Sequence, residues 1–419
     1  MSRSYTLLLF ILFALSTFAA DPTATNYSFK ECRGTLSPYP ADNSITAYPD
    51  SLTPVYISHV GRHGSRFPAS STHAVQLLRY LNTADSLGTI TNTGKRLKEV
   101  TEYVIATSTG RWGALDSLGM AEHRGIASRM YMAYKTVFDN AKIRAISSYS
   151  PRCLMSMMCF VHQLDRLNNK IEITTSTGRS NSPLMRPFDI DNDYLDFRQA
   201  GRWSQPYNDF VNTFVPTTAI CRAIGNNTGL SDEELRQAAI TEYYVIAGLD
   251  AMGLDANEAE FFTKDEINRL WSAFNLRQYL QRAANTISTV PADIASPLLL
   301  DIIDGTDRFI NGKDDTNVVL RFGHAETLMP LLSLMRVPEA YYMTNYFDTV
   351  RQHWLDFKTF PMAANLQMVL YKTAKGKFYV RFDINEKPVK LIPGDDRIYL
   401  PWETARTQLM KYIPMYYQM

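Results

Sequence analysis

The sequence predicts an α/β protein in which a mostly parallel central sheet carries helices on both faces, with a smaller α-rich domain inserted. Three observations lead to this prediction. Short apolar strands alternate with helical periodicity in the first and last parts of the chain. Strand signals fade between residues 189 and 289, where helical patterns dominate. The ~400 residues that follow a leader exceed one ordinary core, so two domains are expected.

The first 20 residues have the features of a secretory signal peptide. Arg3 provides a positive start, Thr6–Phe18 is apolar, and Ala19 and Ala20 offer a small-residue cleavage site. The apolar stretch is shorter than the ~20 residues of a membrane span, and no later segment is apolar enough to cross a bilayer. We therefore expect export to the periplasm or the extracellular space. Residues 21–188 and 290–419 would form the α/β domain, and 189–289 the insertion.

The elements before the insertion follow an irregular lead-in over residues 21–51, which is rich in Pro, Ser, Thr and Asn. Apolar β-branched runs predict strands, and apolar residues at helical spacing predict helices. Proline at the first turn starts the helix at residue 151. The predicted elements are strands over 53–60, 143–149 and 170–175 and helices over 93–108, 120–137 and 151–163.

The later elements rest on similar signals. Ser231 followed by Glu234 is a capping box and starts a helix. Ala374-Lys375-Gly376 separates two strand-like runs and indicates a β-hairpin. The predicted elements are helices over 231–248 and 264–284, a strand over 317–323, hairpin strands over 366–373 and 377–383, and a closing helix over 401–416.

The composition is that of an ordinary globular protein. With 43 basic and 42 acidic side chains the net charge is +1, which argues against a general nucleic-acid or membrane-surface binder. Any cationic site must therefore be local. The four cysteines show no CxxC spacing, so no metal is expected, and no disulfide pairing is assigned.

Positive charge follows the first predicted strand at once. The run RHGSRFP places Arg62, His63 and Arg66 just beyond the strand, where an α/β sheet usually binds its ligand. Two guanidinium groups four positions apart favour an anion, and their forks match phosphate oxygens. The imidazole between them can donate to phosphate or attack phosphorus itself.

Two later strands end in a similar way. NVVLRFGHAE places His324 and Glu326 between a strand and a helix. SSYSPR places Arg152 in the first turn of a helix, whose N-terminus favours an anion. Because parallel strand ends can converge on one crevice, these side chains are expected to meet those of the first motif.

RHGSRFP resembles the signature of the histidine acid phosphatases, a branch of the histidine phosphatase superfamily. The triplet His324-Ala325-Glu326 is similar to that of the multiple inositol polyphosphate phosphatases, a group that includes some phytases. The resemblance continues through PMAANLQMVLY and FDINEKPVKL and is weakest in the α-rich insertion. It implies hydrolysis of inositol polyphosphates, phytate among them, with no cofactor.

The resemblance also assigns roles to residues. His63 becomes the nucleophile that is phosphorylated. Glu326 becomes the proton donor to the leaving alcohol and must then be protonated, through acid conditions or a raised pKa. Arg186 is a candidate for a second substrate phosphate, and so are Lys95 and Arg96, although a solvated helix face explains them as well. The phosphate ligands would be Arg62, Arg66, Arg152 and His324.

Other interpretations stay open at this point. A broad-specificity histidine acid phosphatase would use the same chemistry on simpler esters. A sugar-phosphate mutase of the same superfamily fits the leader and the His-Ala-Glu triplet less well. An inactive binding protein on this scaffold would form no phosphohistidine. The oligomeric state is not indicated by the sequence.

Overall fold

The computed structural model describes residues 24–226 and 228–418. The predicted signal peptide, residues 1–20, lies outside them. The strands of the central sheet are β1 (Thr53–Arg62), β2 (Lys142–Ser147), β3 (Glu172–Thr177), β4 (Val318–Gly323), β5 (Asn365–Lys372), β6 (Phe378–Ile384), β7 (Lys387–Val389) and β8 (Leu400–Pro401).

Helices fill most of the remaining described chain, and a short 3₁₀ helix, Glu31–Leu36, precedes the first strand. The α-helices are α1 (Thr72–Ser86), α2 (Asn92–Ser108), α3 (Ser117–Ala133), α4 (Pro151–Leu167), α5 (Ser182–Met185), α6 (Asn192–Ala200), α7 (Ser204–Phe214), α8 (Thr218–Ile224), α9 (Asp232–Ala247), α10 (Lys264–Arg282), α11 (Val290–Asp293), α12 (Ser296–Ile310), α13 (Ala325–Leu334), α14 (Val350–His353), α15 (Asp356–Thr359), α16 (Trp402–Tyr412) and α17 (Met415–Gln418).

The strands form one mixed sheet in the order β3-β2-β4-β1-β5-β6-β7, with β8 paired to β6. Strands β1 to β4 run parallel to one another. Strands β5 to β8 add on in antiparallel fashion. Strands β5, β6 and β7 follow one another through short connections, which suit antiparallel pairing, because parallel neighbours need a long crossover. The carboxyl ends of β1, β2 and β4 therefore share one edge of the sheet.

Both faces of the sheet are covered, which confirms the predicted α/β class, but strands β5 to β8 pair antiparallel, so the sheet is mixed where it was predicted to be mostly parallel. Alternate residues of a strand point to opposite faces. Ile57 of β1 packs in a core with residues of α3 and α4, such as Ile126 and Phe160. Tyr56 and Val60 point to the opposite face of the strand from Ile57, and they belong to the larger core with the helical region. This two-sided burial explains why the inner strands read as continuous apolar runs.

Most predicted elements are present with shifted ends. The hairpin is confirmed as β5 and β6. The capping box is confirmed at α9, where Ser231 accepts from the Glu234 amide and Glu234 accepts from the Ser231 amide. Helix α3 begins three residues earlier than predicted because Asp116 caps it by accepting from Leu118 N. Helix α1 was not predicted.

The described residues between 189 and 289 are helical or irregular, as predicted. Helix α9 in this region packs on α1, and α8 packs on α2. The division of the chain at residues 189 and 289 into domains stays a prediction. In the part of the chain that the structure describes, no helix has the length and apolar character that crossing a bilayer requires.

Candidate active site

The two histidine motifs meet because their strands are neighbours in register. Arg62, the last residue of β1, pairs with Gly323, the last residue of β4. A histidine follows each of these strands directly, and the backbone amide of His63 donates to the Gly323 carbonyl at 3.0 Å. The rings of His63 and His324 are consequently 5.6 Å apart, centroid to centroid.

His63 is held with one ring nitrogen free. Its Nδ1 lies 2.9 Å from the carbonyl oxygen of Gly64. A carbonyl only accepts, so Nδ1 carries the proton and Nε2 keeps its lone pair. Burial, followed by the charges of Arg152, Arg62 and Arg66, holds the pKa of His63 well below its usual value. The imidazole is therefore neutral at ordinary pH, as a nucleophile must be.

Arg62 and Arg66 flank His63 in the sequence, and each guanidinium group uses some of its N–H donors in hydrogen bonds to backbone carbonyls. Nη1 of Arg62 donates to the carbonyls of Thr35 at 2.7 Å and Phe360 at 2.8 Å. Nη1 of Arg66 donates to the Phe67 carbonyl at 2.8 Å. Burial lowers the pKa of Arg62 to about 10 and that of Arg66 to about 9, so both stay cationic near neutral pH.

Arg152 lies in the first turn of α4 and contacts the second histidine, since its Nη2 is 3.3 Å from His324 Nδ1. The other ring nitrogen of His324, Nε2, is 3.0 Å from Ser148 Oγ and 2.6 Å from Arg186 Nη1. Burial and Arg152 hold the pKa of His324 well below its usual value. Within the described chain the Nε atoms of Arg62, Arg66 and Arg152 are buried without a hydrogen-bond partner. These donors suit phosphate oxygens.

Glu326 lies at the start of α13, and its Oε1 accepts from Arg282 Nη2 at 2.9 Å. Burial acts to raise the pKa of Glu326, but Arg282, His324 and Arg62 outweigh it and hold the pKa well below its usual value. A raised pKa, one of the two conditions expected for proton donation by Glu326, is therefore not found, and these contacts favour its ionised form.

A buried carboxylate supports the loop that carries His63. Glu122 of α3 accepts from the backbone amide of Ser65 at 2.7 Å and from its hydroxyl at 2.6 Å. Glu122 also accepts from the Tyr39 amide at 2.8 Å, which ties the N-terminal segment to the loop. A Cβ on Gly64 would lie 2.6 Å from the Gly119 carbonyl oxygen, so the loop approaches α3 at a distance that only glycine allows.

These side chains surround a cavity of about 320 Å³. Arg62, His63, Arg66, Arg152 and Glu326 line it, and His324 borders it through its contact with Arg152. Among the described residues the lining includes six arginines and one carboxylate, although the whole chain is nearly neutral. The positive charge is thus local, and it is suited to a polyanion.

The remaining predicted residues are divided between the site and the surface. Arg186 lies beside His324 and also pairs with Asp189 at 2.6 Å. Lys95 and Arg96 are exposed on α2 and do not line the cavity. Arg96 instead pairs with Glu99 and Glu260.

The part of the site that comes from the helical region was not predicted from the sequence. Helix α10 contributes Arg277, Gln278, Gln281 and Arg282 to the lining, and α6 contributes Arg198. The polar residues of α10 follow the spacing i, i+1, i+4, i+5 at the end of an otherwise buried helix, which places them on one face. That polar stripe is present in the sequence, where a solvated helix face would give the same pattern. In the described part of the chain, no cluster of three or more His, Cys, Asp or Glu side chains is suited to a metal ion.

Comparison with known proteins identifies the family. Residues 56–385 match the model of the histidine phosphatase superfamily, branch 2. The chain is 24% identical over 380 residues to multiple inositol polyphosphate phosphatase 1 of Homo sapiens, covering 83% of this chain and 77% of the human protein. The corresponding Gallus gallus protein is 22% identical, with coverages of 84% and 80%.

Solved structures agree on the fold. The multiple inositol polyphosphate phosphatase of Bifidobacterium longum, in complex with inositol hexasulfate, superposes with a TM-score of 0.76 at 17% identity, over 92% of this chain and 99% of that one. The phytase of D. castellii superposes with a TM-score of 0.70 at 16% identity, over 97% and 90%. With the family model matched over most of its length, the chain belongs to branch 2 of the histidine phosphatase superfamily and is a phosphoric monoester hydrolase.

Proposed function

We propose that this protein hydrolyses the phosphate monoesters of inositol polyphosphates, inositol hexakisphosphate among them, through a phosphohistidine on His63. The observation that carries the proposal is the neutral ring of His63. Its Nδ1 is bonded to the Gly64 carbonyl, so Nε2 keeps its lone pair, and the residue lines a cavity that also contains six arginines. The relatives of this protein include phosphatases and phytases named for these substrates, and one of them was solved with inositol hexasulfate.

The first step places a phosphate dianion among Arg62, Arg66, Arg152 and His324. Their positive charge offsets the repulsion between the lone pair of Nε2 and the phosphate oxygens. His63 Nε2 attacks phosphorus in line, the P–N bond forms and the bond to the leaving oxygen breaks. Because the P–O bond lengthens before the new bond is complete, charge builds on oxygens that the arginines contact.

Glu326 donates the proton that the leaving alkoxide requires. In the unliganded site it is ionised, but a bound dianion offsets the cations that hold its pKa low, so binding raises that pKa. Substrate binding therefore favours the protonated form of Glu326, which is the form that can donate. After the alcohol leaves, ionised Glu326 takes a proton from water, which attacks the phosphohistidine and releases inorganic phosphate.

The arginines of the helical region distinguish a polyphosphate substrate from a simple ester. Arg198 and Arg277 line the cavity beyond the reacting residues. A single phosphate held by His63 and its neighbours leaves these cations for other phosphates on the same ring. A broad-specificity phosphatase has no need of them.

The decisive experiment compares inositol hexakisphosphate with an aryl phosphate in the wild type and in Arg277→Gln. We expect kcat/KM for inositol hexakisphosphate to fall roughly tenfold, which corresponds to a loss of about 1–2 kcal/mol of transition-state stabilisation. The value of kcat/KM for the aryl ester should stay within about twofold of the wild type. Equal losses on both substrates would favour the broad-specificity alternative. Recovery of phosphate on His63 after a rapid acid-free quench tests the intermediate, and its absence during turnover would refute the mechanism.

Export is part of the proposal and rests on the sequence of residues 1–20. Expression of the full chain should give a product that begins near Asp21 in the periplasm or the medium. An intact N-terminus inside the cell would contradict it.

A further inference from the structure

A buried carboxyl group that acts electrostatically on Arg62 takes no part in the proposed steps. Asp356, the first residue of α15, has no exposed surface. Its Oδ1 accepts from Trp271 Nε1 of α10 at 2.8 Å, and its Oδ2 accepts from the Thr35 amide at 3.3 Å. One carboxyl group thus joins three separate segments of the chain.

The segments that Asp356 joins are also those that hold Arg62. Both carbonyl oxygens that accept from Arg62 Nη1 belong to them, one from Thr35 and one from Phe360. The Thr35 amide is bonded to the Asp356 side chain, and the Phe360 amide donates to the Asp356 carbonyl at 2.8 Å. The guanidinium of Arg62 is therefore oriented by two residues that Asp356 itself anchors.

The charge on Asp356 is set by burial against four favourable interactions. Burial raises the pKa of Asp356 to about 7, although hydrogen bonds from Trp271, Thr35 and Phe357 and the charge of Arg62 act to lower it. A carboxyl group with this pKa is neutral in mildly acid solution and ionised in mildly alkaline solution.

The other titratable groups that act on Asp356 are neutral across this range. They are the thiol of Cys32, in the N-terminal 3₁₀ helix, and the phenols of Tyr243 and Tyr244 on α9. Burial raises the pKa of all three above their usual values. Arg62 is thus the charged side chain through which a change on Asp356 reaches the cavity.

We propose that Asp356 is a positioning residue for Arg62 and that ionisation of its carboxyl group weakens the hold of the site on phosphate groups. This inference rests on the proposed function. The neutral carboxyl group keeps its hydrogen bonds and adds no charge. The ionised group places a negative charge behind Arg62 and opposes the phosphate dianion in front of it. Affinity for the anion therefore falls as the pH rises through neutrality.

The test uses inositol hexasulfate, because its sulfate groups stay ionised and the ligand itself does not titrate. Calorimetry would give Kd for the wild type and for Asp356→Asn from about pH 5.5 to about pH 8. Wild-type binding should weaken roughly tenfold over this range, the effect of unit charges on the order of 10 Å apart at an effective dielectric constant of about 20. Asp356→Asn should lose most of that change and bind more tightly than the wild type at the alkaline end.

A matched control is available in Glu242 of α9. It is also fully buried, and burial raises its pKa to about 8, but the charges that act on it are Arg222 and Glu266. Glu242→Gln should keep the wild-type pH dependence of Kd. If Asp356→Asn keeps that dependence, or if Glu242→Gln abolishes it, the inference is wrong.

A second variant keeps the carboxyl group in place. Trp271→Phe removes the donor to Oδ1, so the pKa of Asp356 should rise and the change in Kd should move to higher pH. An unchanged or lowered midpoint would overturn the inference even if Asp356→Asn fails to fold. Turnover of inositol hexakisphosphate by the wild type is measured separately. Anion binding with the expected pH dependence but without hydrolysis would refute the proposed function and leave the role of Asp356 standing.

Discussion

The ion pair between Arg282 and Glu326 should control the alkaline limit of activity. Glu326 must carry a proton when the leaving group departs, and Arg282 stabilises its ionised form at 2.9 Å. Replacing Arg282 by Gln keeps a polar side chain and removes the charge. We expect the pKa of Glu326 to rise, so that the proton donor stays loaded to higher pH.

The size of the shift follows from the geometry. Unit charges separated by the 2.9 Å of this pair attract by about 1.4 kcal/mol under the screening of bulk water. One pKa unit corresponds to about 1.4 kcal/mol. The Glu326 side chain is 33% exposed, so solvent screens much of its attraction to Arg282. The value for bulk water is therefore a lower bound for this attraction energy. We therefore expect an upward shift of about 1 to 2 units.

The assay is the pH profile of kcat on inositol hexakisphosphate, because kcat reports groups in the enzyme–substrate complex. The alkaline limb of Arg282→Gln should move to higher pH, and KM should rise because a cavity cation is lost. Arg277→Gln is the matched control, since Arg277 lines the same cavity without bonding Glu326. It should raise KM and leave the alkaline limb in place.

An alkaline limb that stays fixed in Arg282→Gln, or moves to lower pH, would refute this reasoning. A shift of the same size in Arg277→Gln would also refute it, because the effect would then reflect the general charge of the cavity. Either result would remove Glu326 from its role as the group that limits activity in alkaline solution.

Three further predictions concern the reacting residues and their loop. His63→Ala should lower kcat by more than about a thousandfold while the circular dichroism spectrum and Tm stay close to those of the wild type; near-normal turnover would exclude His63 as nucleophile. Glu326→Gln should slow inositol phosphate hydrolysis by about 10²- to 10⁴-fold and aryl phosphate hydrolysis far less, and equal losses in kcat would argue against a proton donor there. Gly64→Ala should lower the free energy of unfolding by about 1–3 kcal/mol, because its Cβ would lie 2.6 Å from the Gly119 carbonyl; urea titration showing unchanged stability would mean that the loop relaxes freely.

The sequence was informative where function depends on strand ends. An apolar strand followed at once by Arg62 and His63, and another by His324, indicates the edge of a parallel sheet, and β1 and β4 are neighbours there. The hairpin and the capping box were also predictable because their signals are local. The missed helix α1 buries Ala74, Leu77, Leu81 and Ala84, a helical spacing that was present in the sequence.

Other features depend on contacts between distant residues. The ionised state of Glu326 is decided by Arg282, which is 44 positions away in the sequence. The sequence His324-Ala325-Glu326 gives no indication that an arginine pairs with the glutamate. The antiparallel half of the sheet likewise depends on how the last strands return to β1. The arginines of α10 are distinguished from a solvated helix face only by the burial of the rest of that helix.

The cavity has two origins, and this affects how the enzyme can be altered. In the proposed function, bond breaking depends on side chains at the sheet edge and in the helical turns that follow it. Recognition of the rest of the substrate falls to α10, which also contacts these residues directly through the ion pair between Arg282 and Glu326. Exchanging residues 277 and 281 should therefore redirect the protein toward other multiply phosphorylated compounds without disturbing its reaction chemistry, whereas Gln278 is best kept because it accepts a hydrogen bond from Arg282. New selectivities would be sought by libraries at these two positions, with His63 and its loop left as they are.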